Sequence, residues 1–328
     1  MQGSDNVPAV GITGGTGFIG SALVRKLCRR YRVKLLDVRR PASLPPNTVF
    51  EECDVRDYGT VRKCLEDVDV VVHAAIVQIP AINQHKRLGY EVNFLGTQNV
   101  CRAVDELERP RGMVLAGSWH VVGERDLKGV VDEEFGFRPD KVEDRARLYV
   151  LSKIAQEVTA RYFNEMSDKA YAVVRMGTVL GEGMPEKTAA NIFITRGLRG
   201  EPITPYRHSM HRPMLYVDVE DVARGYESLI EAILSDRDTP PVVNLFYPEP
   251  VTILELAEMV RDIIAELTGG RVVPRIEVVD KGIPPLFTPE DKRRFRVNIE
   301  RSLRALGMNK LTPPKESIRR IIKAKLMS

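Results

Sequence analysis

Short runs of β-branched and apolar residues alternate with amphipathic stretches through the first half of the chain. Val10 to Thr13, Val33 to Leu36, Thr48 to Cys53, Val68 to Ala75, Gly112 to Ala116 and Ala170 to Arg175 read as strands. Between them, Phe18 to Arg30, Tyr90 to Leu107 and Tyr149 to Met166 carry helical spacing, with Leu23, Val24 and Leu27 on one face of the first. Strands apolar on both faces and separated by helices predict a parallel sheet covered on both sides. The pattern loosens after Gly177. Met214 to Val217 then reads as a strand, about Asp218 to Leu234 as a helix and Val242 to Leu245 as a strand. Beyond Val251, two helical patterns flank a strand-like Arg271 to Val279, and a basic helix ends the chain. Met1 to Asn6 reads as a disordered tail.

Composition narrows the class. The 328 residues suffice for one large domain or two sharing a cleft, and 43% apolar with 29% charged residues is ordinary for a globular enzyme. The net charge of +4 is spread over short clusters such as Arg29-Arg30, Arg39-Arg40 and Lys292-Arg293-Arg294. These read as solvated faces, so no nucleic-acid partner is expected. Four scattered cysteines form no Cys-x-x-Cys pair, which argues against a disulfide framework or a thiolate metal site and fits a reducing cytoplasm. Asp5 and Pro8 precede the first apolar run, and no stretch reaches the ~18 apolar residues of a membrane span, so neither a signal peptide nor a membrane partner is expected.

Three features carry chemistry. The first is Gly11-Ile12-Thr13-Gly14-Gly15-Thr16-Gly17-Phe18-Ile19-Gly20, where a strand turns into a helix. Gly14 can turn the chain, Gly17 lets the backbone approach a pyrophosphate, and Gly20 lets the helix pack close to the sheet. The N–H groups that open the helix, at Phe18 and Ile19, then face the phosphates. This is a dinucleotide seat in a Rossmann-like, doubly wound α/β sheet. Asp37, closing the second strand, can accept hydrogen bonds from ribose hydroxyls and repels a 2′-phosphate, which favours NAD over NADP. Arg39 and Arg40 directly after it could bind that phosphate instead. Asp54 and Val55 are placed to hold adenine, and the small Ala74 and Ala75 leave room for the cofactor. His73 on the same strand reads as a structural hydrogen bonder.

The second and third features are Ser118, after the strand Gly112 to Ala116, and the pair Tyr149 and Lys153. Residues four apart share a helix face. An ammonium at Lys153 would lower the Tyr149 pKa toward neutrality, and Ser118 could hydrogen-bond the substrate oxygen.

Taken in order, these motifs resemble the extended short-chain dehydrogenase/reductases, the nucleotide-sugar epimerase and dehydratase family. The resemblance extends through Asn93-Phe94-Leu95-Gly96-Thr97-Gln98-Asn99, Arg175-Met176-Gly177-Thr178-Val179-Leu180-Gly181 and Tyr216-Val217-Asp218-Val219-Glu220-Asp221-Val222-Ala223. It implies catalysis by Ser118, Tyr149 and Lys153, with Asn93 bracing the site through the backbone. It places a smaller α/β substrate-binding lobe at 177–213 plus 247–328, beside an NAD-binding domain at 1–176 plus 214–246. Arg212 stands where such epimerases carry an arginine for the diphosphate, and Trp119 and Thr178 are expected to face substrate. The chain also departs from the pattern. Dehydratases place an Asp-Glu pair after the Ser/Thr, where this chain has Trp119 and His120. Thr178 replaces a common Asn, Val150 replaces the usual Gly after the tyrosine, and Ser118 to Tyr149 is a few residues longer.

Two activities follow. One is a UDP-sugar 4-epimerase working through a transient 4-keto sugar and bound NAD. The other is an NAD(P)-dependent dehydrogenase or reductase of a secondary alcohol, suggested by Thr178 and by Val72-His73-Ala74-Ala75-Ile76, which looks equally like hydroxysteroid dehydrogenase and flavonoid reductase relatives. A homodimer through the helices around Asn93 to Leu107 and Tyr149 to Met166 is expected by analogy.

Overall fold

The computed structural model describes residues 7–327, so the expected N-terminal tail lies outside the described residues. Seven parallel strands form one sheet: β1 (Ala9–Thr13), β2 (Arg32–Asp37), β3 (Thr48–Glu52), β4 (Val70–His73), β5 (Gly112–Ala116), β6 (Ala170–Met176) and β7 (Val242–Leu245). Their spatial order is β3-β2-β1-β4-β5-β6-β7. The order reverses between β1 and β4, the switch point at which such sheets bind ligands.

Successive residues on these strands enter opposite cores. Val72, Val114 and Val174 join one apolar cluster with Leu23 of the helix Phe18–Leu27 and with Tyr226 and Leu229 of the helix Val219–Leu234. Val71, Leu115 and Val173 join the other, with Leu65, Val104 and Ala160 from the helices Tyr58–Leu65, Gly96–Glu106 and Arg147–Met166. Burial on both faces is why the strands read as continuous apolar runs. The helices Ala189–Leu198 and Ile253–Leu267 contribute Ile194, Leu256 and Ile263 to the first cluster. The C-terminal elements therefore share a continuous core with the sheet. Among the described residues, no helix is long and apolar enough to cross a membrane.

The stretch expected as one strand from Met214 to Val217 is two. Pro213–Met214 pairs with Val251–Thr252, and Tyr216–Asp218 pairs with Thr178–Leu180. Arg271 to Val279 forms no strand. Only isolated bridges join Ile276 to Ile203 and Val279 to Tyr206, and Val273 and Val278 are exposed. The long helix expected from Tyr90 is interrupted by a π-helical turn at Glu91–Leu95.

A buried ion pair anchors the helix Arg147–Met166 to the sheet. Arg175 on β6 donates to Glu157 from Nε at 3.0 Å and from a terminal nitrogen at 2.8 Å, and both residues are almost fully enclosed. Arg175 also donates to the carbonyls of Glu133 and Phe135. Arg161 also pairs with Glu157, at 2.6 Å, so it is removal of Glu157 that would strand the enclosed Arg175 charge, at about 3–5 kcal/mol, and the pair fixes where this helix sits.

Candidate active site

Four of the expected site segments emerge from neighbouring strands at one sheet edge. Asp37 ends β2, the glycine turn follows β1, Ala74 and Ala75 follow β4, and Ser118 follows β5. The order along that edge is the order a dinucleotide needs: adenosine end, pyrophosphate, then reactive end. Three strand spacings of ~4.8 Å separate β2 from β5.

The glycine turn fits a pyrophosphate. Gly14 has φ +67°, and a Cβ there would lie 2.6 Å from the Ala75 nitrogen. The turn is therefore pressed against the end of β4. At Gly20 a Cβ would meet the Gly14 oxygen at 2.3 Å, so the helix starts close beneath the turn. Gly17 caps that helix with no side-chain bond, and the first turn carries no acidic residue. The opening N–H groups of Phe18 and Ile19 have no acceptor within the helix and suit an anion.

Asp37 reaches this turn. It accepts from the Thr16 hydroxyl at 2.7 Å and the Thr16 amide at 3.1 Å, and from the Arg39 amide at 3.1 Å. Arg40, the alternative phosphate ligand, lies over the Phe50 ring with its guanidinium 4.8 Å from the centroid. Asp54 is held by Arg56, whose Nε donates at 2.9 Å and 3.0 Å, and this contact draws the carboxyl below its usual range. Asp57, not Asp54, caps the following helix. Val55 is buried, with its carbonyl taken by Asn99 at 2.9 Å.

His73 is structural, as expected. Enclosed between Thr13 Oγ1 at 2.7 Å and Thr97 Oγ1 at 2.9 Å, it has its pKa pushed down to about 3 by burial. Gln156 joins the group by donating to Thr97 at 2.8 Å. Asn93 sits in the π-helical turn and clamps Val77 by both backbone groups, at 2.7 and 3.1 Å, while donating to Ser152 at 3.0 Å. It thus ties the chain after β4 to the helix of Tyr149, a use of π-turns common at functional sites.

Tyr149 is half-buried, and its ring meets that of His120 edge to face with centroids 6.2 Å apart. Burial pushes its pKa up, and the nearby Ser118 hydroxyl opposes this only in part. The expected lowering by Lys153 is corrected by the geometry. Lys153 is itself enclosed, is drawn down to about 7 by desolvation, and donates to the Ala116 carbonyl at 2.5 Å. Its ammonium is directed at the end of β5 instead of the phenol.

The substrate residues need larger corrections. Trp119 is 0% exposed, and its ring centroid lies 4.5 Å from that of His120. It is a buried support for the histidine and not a wall of an open pocket. Arg212 is 8% exposed and paired with Glu143 at 2.7 Å and Glu124 at 3.8 Å. Its charge is already matched, so it is not a free diphosphate clamp. Thr178 is half-buried, with a hydroxyl that makes no hydrogen bond among the described residues.

Sequence reasoning missed Glu124 and Glu143. Ser118 caps the turn Trp119–Val122 by accepting from the His120 amide. Its hydroxyl also meets His120 Nδ1 at 3.1 Å, and His120 Nε2 meets Glu124 at 3.1 Å. The four-residue spacing of His120 and Glu124 was the one local signal. Arg212 and Glu143 reach the cluster only through the fold.

The comparisons agree with this architecture. The profile of the NAD dependent epimerase/dehydratase family matches residues 10–245. A putative UDP-glucose 4-epimerase of Methanocaldococcus jannaschii is 26% identical over 95% of this chain and 96% of its own. Among solved structures, MoeE5 in complex with UDP-glucose and NAD superposes with TM-score 0.77 at 25% identity, covering 98% of this chain and all of that one. The UDP-glucose 4-epimerase of Thermus thermophilus, complexed with NAD, has the same fold, with TM-score 0.76 at 24% identity over 96% of this chain and 98% of that one. With glycine turn, Asp37, Ser118 and Tyr149 set along one sheet edge, and with the family profile covering most of its length, this chain belongs to the NAD-dependent epimerase/dehydratase family of enzymes.

Proposed function

We propose that the protein is a nucleotide-sugar 4-epimerase acting on a UDP-hexose with tightly held NAD. The observation that carries the reading is the placement of Ser118 directly after β5, at the sheet edge that also holds the glycine turn and close to the helix that bears Tyr149. A phenol there can take the proton of a sugar hydroxyl and later return it. Bound NAD would supply the hydride acceptor and donor for the carbinol carbon. Gly14, Gly17, Phe18 and Ile19 would seat its pyrophosphate, Asp37, Asp54 and Val55 its adenosine, and Ala74, Ala75, Asn93, Tyr149 and Lys153 its reactive half. The absence of an Asp-Glu pair after Ser118 argues against elimination of water. Trp119 is enclosed, and both ring nitrogens of His120 are already engaged. The full-length likeness to a putative UDP-glucose 4-epimerase supports the choice of substrate.

Purified protein incubated with UDP-glucose and no added cofactor is expected to yield UDP-galactose on chromatography. Failure to epimerise any common UDP-sugar would remove this reading, and stoichiometric NADH would replace it with a net dehydrogenase.

We also propose self-pairing through the helix Arg147–Met166. Leu151, Val158, Tyr162 and Met166 are exposed along it at spacings of seven, four and four. Such a row is costly to leave in water and suits a two-fold contact with its own copy. Light scattering is expected to return twice the 36.9 kDa chain mass; a single-chain mass would refute the pairing.

A further inference from the structure

Between the glycine turn and the helix of Tyr149 runs an enclosed line of hydrogen bonds. At one end, Thr13 directly precedes Gly14, and its hydroxyl accepts from the Ala75 amide at 3.4 Å. His73 lies between that hydroxyl, 2.7 Å from Nδ1, and the Thr97 hydroxyl, 2.9 Å from Nε2. Thr97 donates to the Asn93 carbonyl, in the π-helical turn, at 2.8 Å. The Asn93 side chain donates to Ser152 at 3.0 Å, and Ser152 donates to the Tyr149 carbonyl at 2.8 Å. Thr13, His73, Asn93, Thr97 and Ser152 are each at most 1% exposed, so bulk water does not compete for these groups.

The sense of each bond from Ala75 to Asn93 is fixed. A carbonyl only accepts, so the one hydrogen of Thr97 is spent on Asn93. Toward its other neighbours Thr97 is then an acceptor. Gln156 donates to it from the side-chain amide at 2.8 Å, and His73 must carry hydrogen on Nε2. Burial drives the His73 pKa down to about 3, so the ring is neutral and Nδ1 is bare. Thr13 therefore donates to Nδ1 and accepts from the Ala75 amide, which can only donate. Both ends of this stretch are backbone groups of fixed sense, and the imidazole between them has one permitted tautomer. Such lines strengthen bond by bond, and a break in an enclosed one leaves partners that nothing else satisfies.

We infer that His73 and Thr97 are positioning residues that set the NAD turn and the helix of Tyr149 by each other, so that loss of the Thr97 hydroxyl weakens NAD binding across the imidazole. The turn is pressed against Ala75 so closely that a Cβ at Gly14 would meet the Ala75 nitrogen at 2.6 Å. That amide belongs both to the wall of the pyrophosphate seat and to the line. Asn93 belongs both to the line and, through Ser152, to the backbone of Tyr149. By linkage, whatever the line adds to NAD affinity, NAD returns as a firmer placement of the Tyr149 helix. Only the use made of Tyr149 depends on the epimerase reading; the effect on NAD stands without it.

Two variants at one position separate this role from packing. T97V keeps the shape of the side chain and loses the hydroxyl, whereas T97S keeps the hydroxyl and loses a methyl group. Calorimetric titration of the NAD-stripped proteins is expected to give T97V a dissociation constant about tenfold above that of the unaltered protein, and T97S one within about twofold. Packing alone predicts the opposite order, since valine fills the site better than serine. T97V at the unaltered affinity, or T97S as weak as T97V, would overturn the inference.

A second measurement needs no variant and serves if T97V does not fold. Nitrogen NMR of the unaltered, histidine-labelled, NAD-loaded protein, with His73 assigned by through-bond connectivity among the five histidines, should show hydrogen on Nε2 and a bare Nδ1. Removing NAD should move the Nδ1 resonance, although the ring is 0% exposed and touches no ligand. The reverse tautomer, or a resonance that NAD leaves unmoved, overturns the coupling. If the unaltered protein epimerises no UDP-sugar, the 4-epimerase reading fails alone, and the titration and the NMR result still decide whether the line acts on NAD.

Discussion

Substituting Tyr149 with Phe is expected to lower kcat by roughly 1,000-fold, within the 10²–10⁴ range of general acid–base catalysis, while NAD binding is retained. The change removes one oxygen from a ring that otherwise stays in place. The Ser152, Lys153, Gln156 and Glu157 anchors on the same helix are untouched, and each has its own partner in the sheet or the neighbouring helix. The folded state should therefore survive, and the loss should fall on the chemical step. KM for the sugar nucleotide should move little, since the phenol contributes to proton transfer more than to nucleotide contacts. Steady-state kinetics with UDP-glucose, together with urea unfolding as a control on folding, measure both. Activity within about tenfold of the unaltered protein would show that another group carries the proton.

A methyl group at position 14 is the second large perturbation. Gly14 has φ +67°, a region that an alanine adopts only at about 1–2 kcal/mol. The added Cβ would also stand 2.6 Å from the Ala75 nitrogen and 2.7 Å from its Cα, both backbone atoms that cannot rotate away. The turn and the end of β4 must then part, and the pyrophosphate seat opens with them. For G14A we expect the NAD dissociation constant to rise by about 10- to 100-fold, the factor that a strain of a few kcal/mol carries. Calorimetric titration of NAD-stripped protein measures it. An unchanged affinity would mean that the cofactor does not sit on this turn.

The sheet was legible in the sequence because burial on both faces leaves a plain signal. Gly112–Ala116 and Val242–Leu245 have the bounds that their apolar runs predict. Asp37, the glycine turn, Ala74, Ala75 and Ser118 were legible for a related reason: each ends or follows a parallel strand, and parallel strands deliver their C-terminal ends to one edge. Segments outside the sheet were less so. Arg271 to Val279 has β-branched residues but no neighbouring strand to complete a ladder. Met214 to Val217 looked continuous, but Pro213–Met214 and Tyr216–Asp218 pair with different partners. The π-turn at Glu91–Leu95 leaves no mark in composition.

The charge cluster behind the active site was the least readable. Glu124, Glu143 and Arg212 come together from three separate stretches of chain, and only the spacing of His120 and Glu124 was local. Family position suggested an open diphosphate site for Arg212, but position alone carries no information about which carboxylates fold against a residue. Trp119 was misjudged for the same reason. A large aromatic beside a catalytic serine can face substrate or core, and here the core takes it entirely.

The central claim is that enzyme-held NAD borrows a hydrogen from the sugar's C4 and returns it to the opposite face, with Tyr149 handling the proton. Mass spectrometry of products from UDP-glucose labelled with deuterium at C4 tests it most directly. The account predicts UDP-galactose with the deuterium retained at C4 in ordinary water. Galactose product carrying solvent hydrogen at that carbon, or no epimer at all, would contradict it.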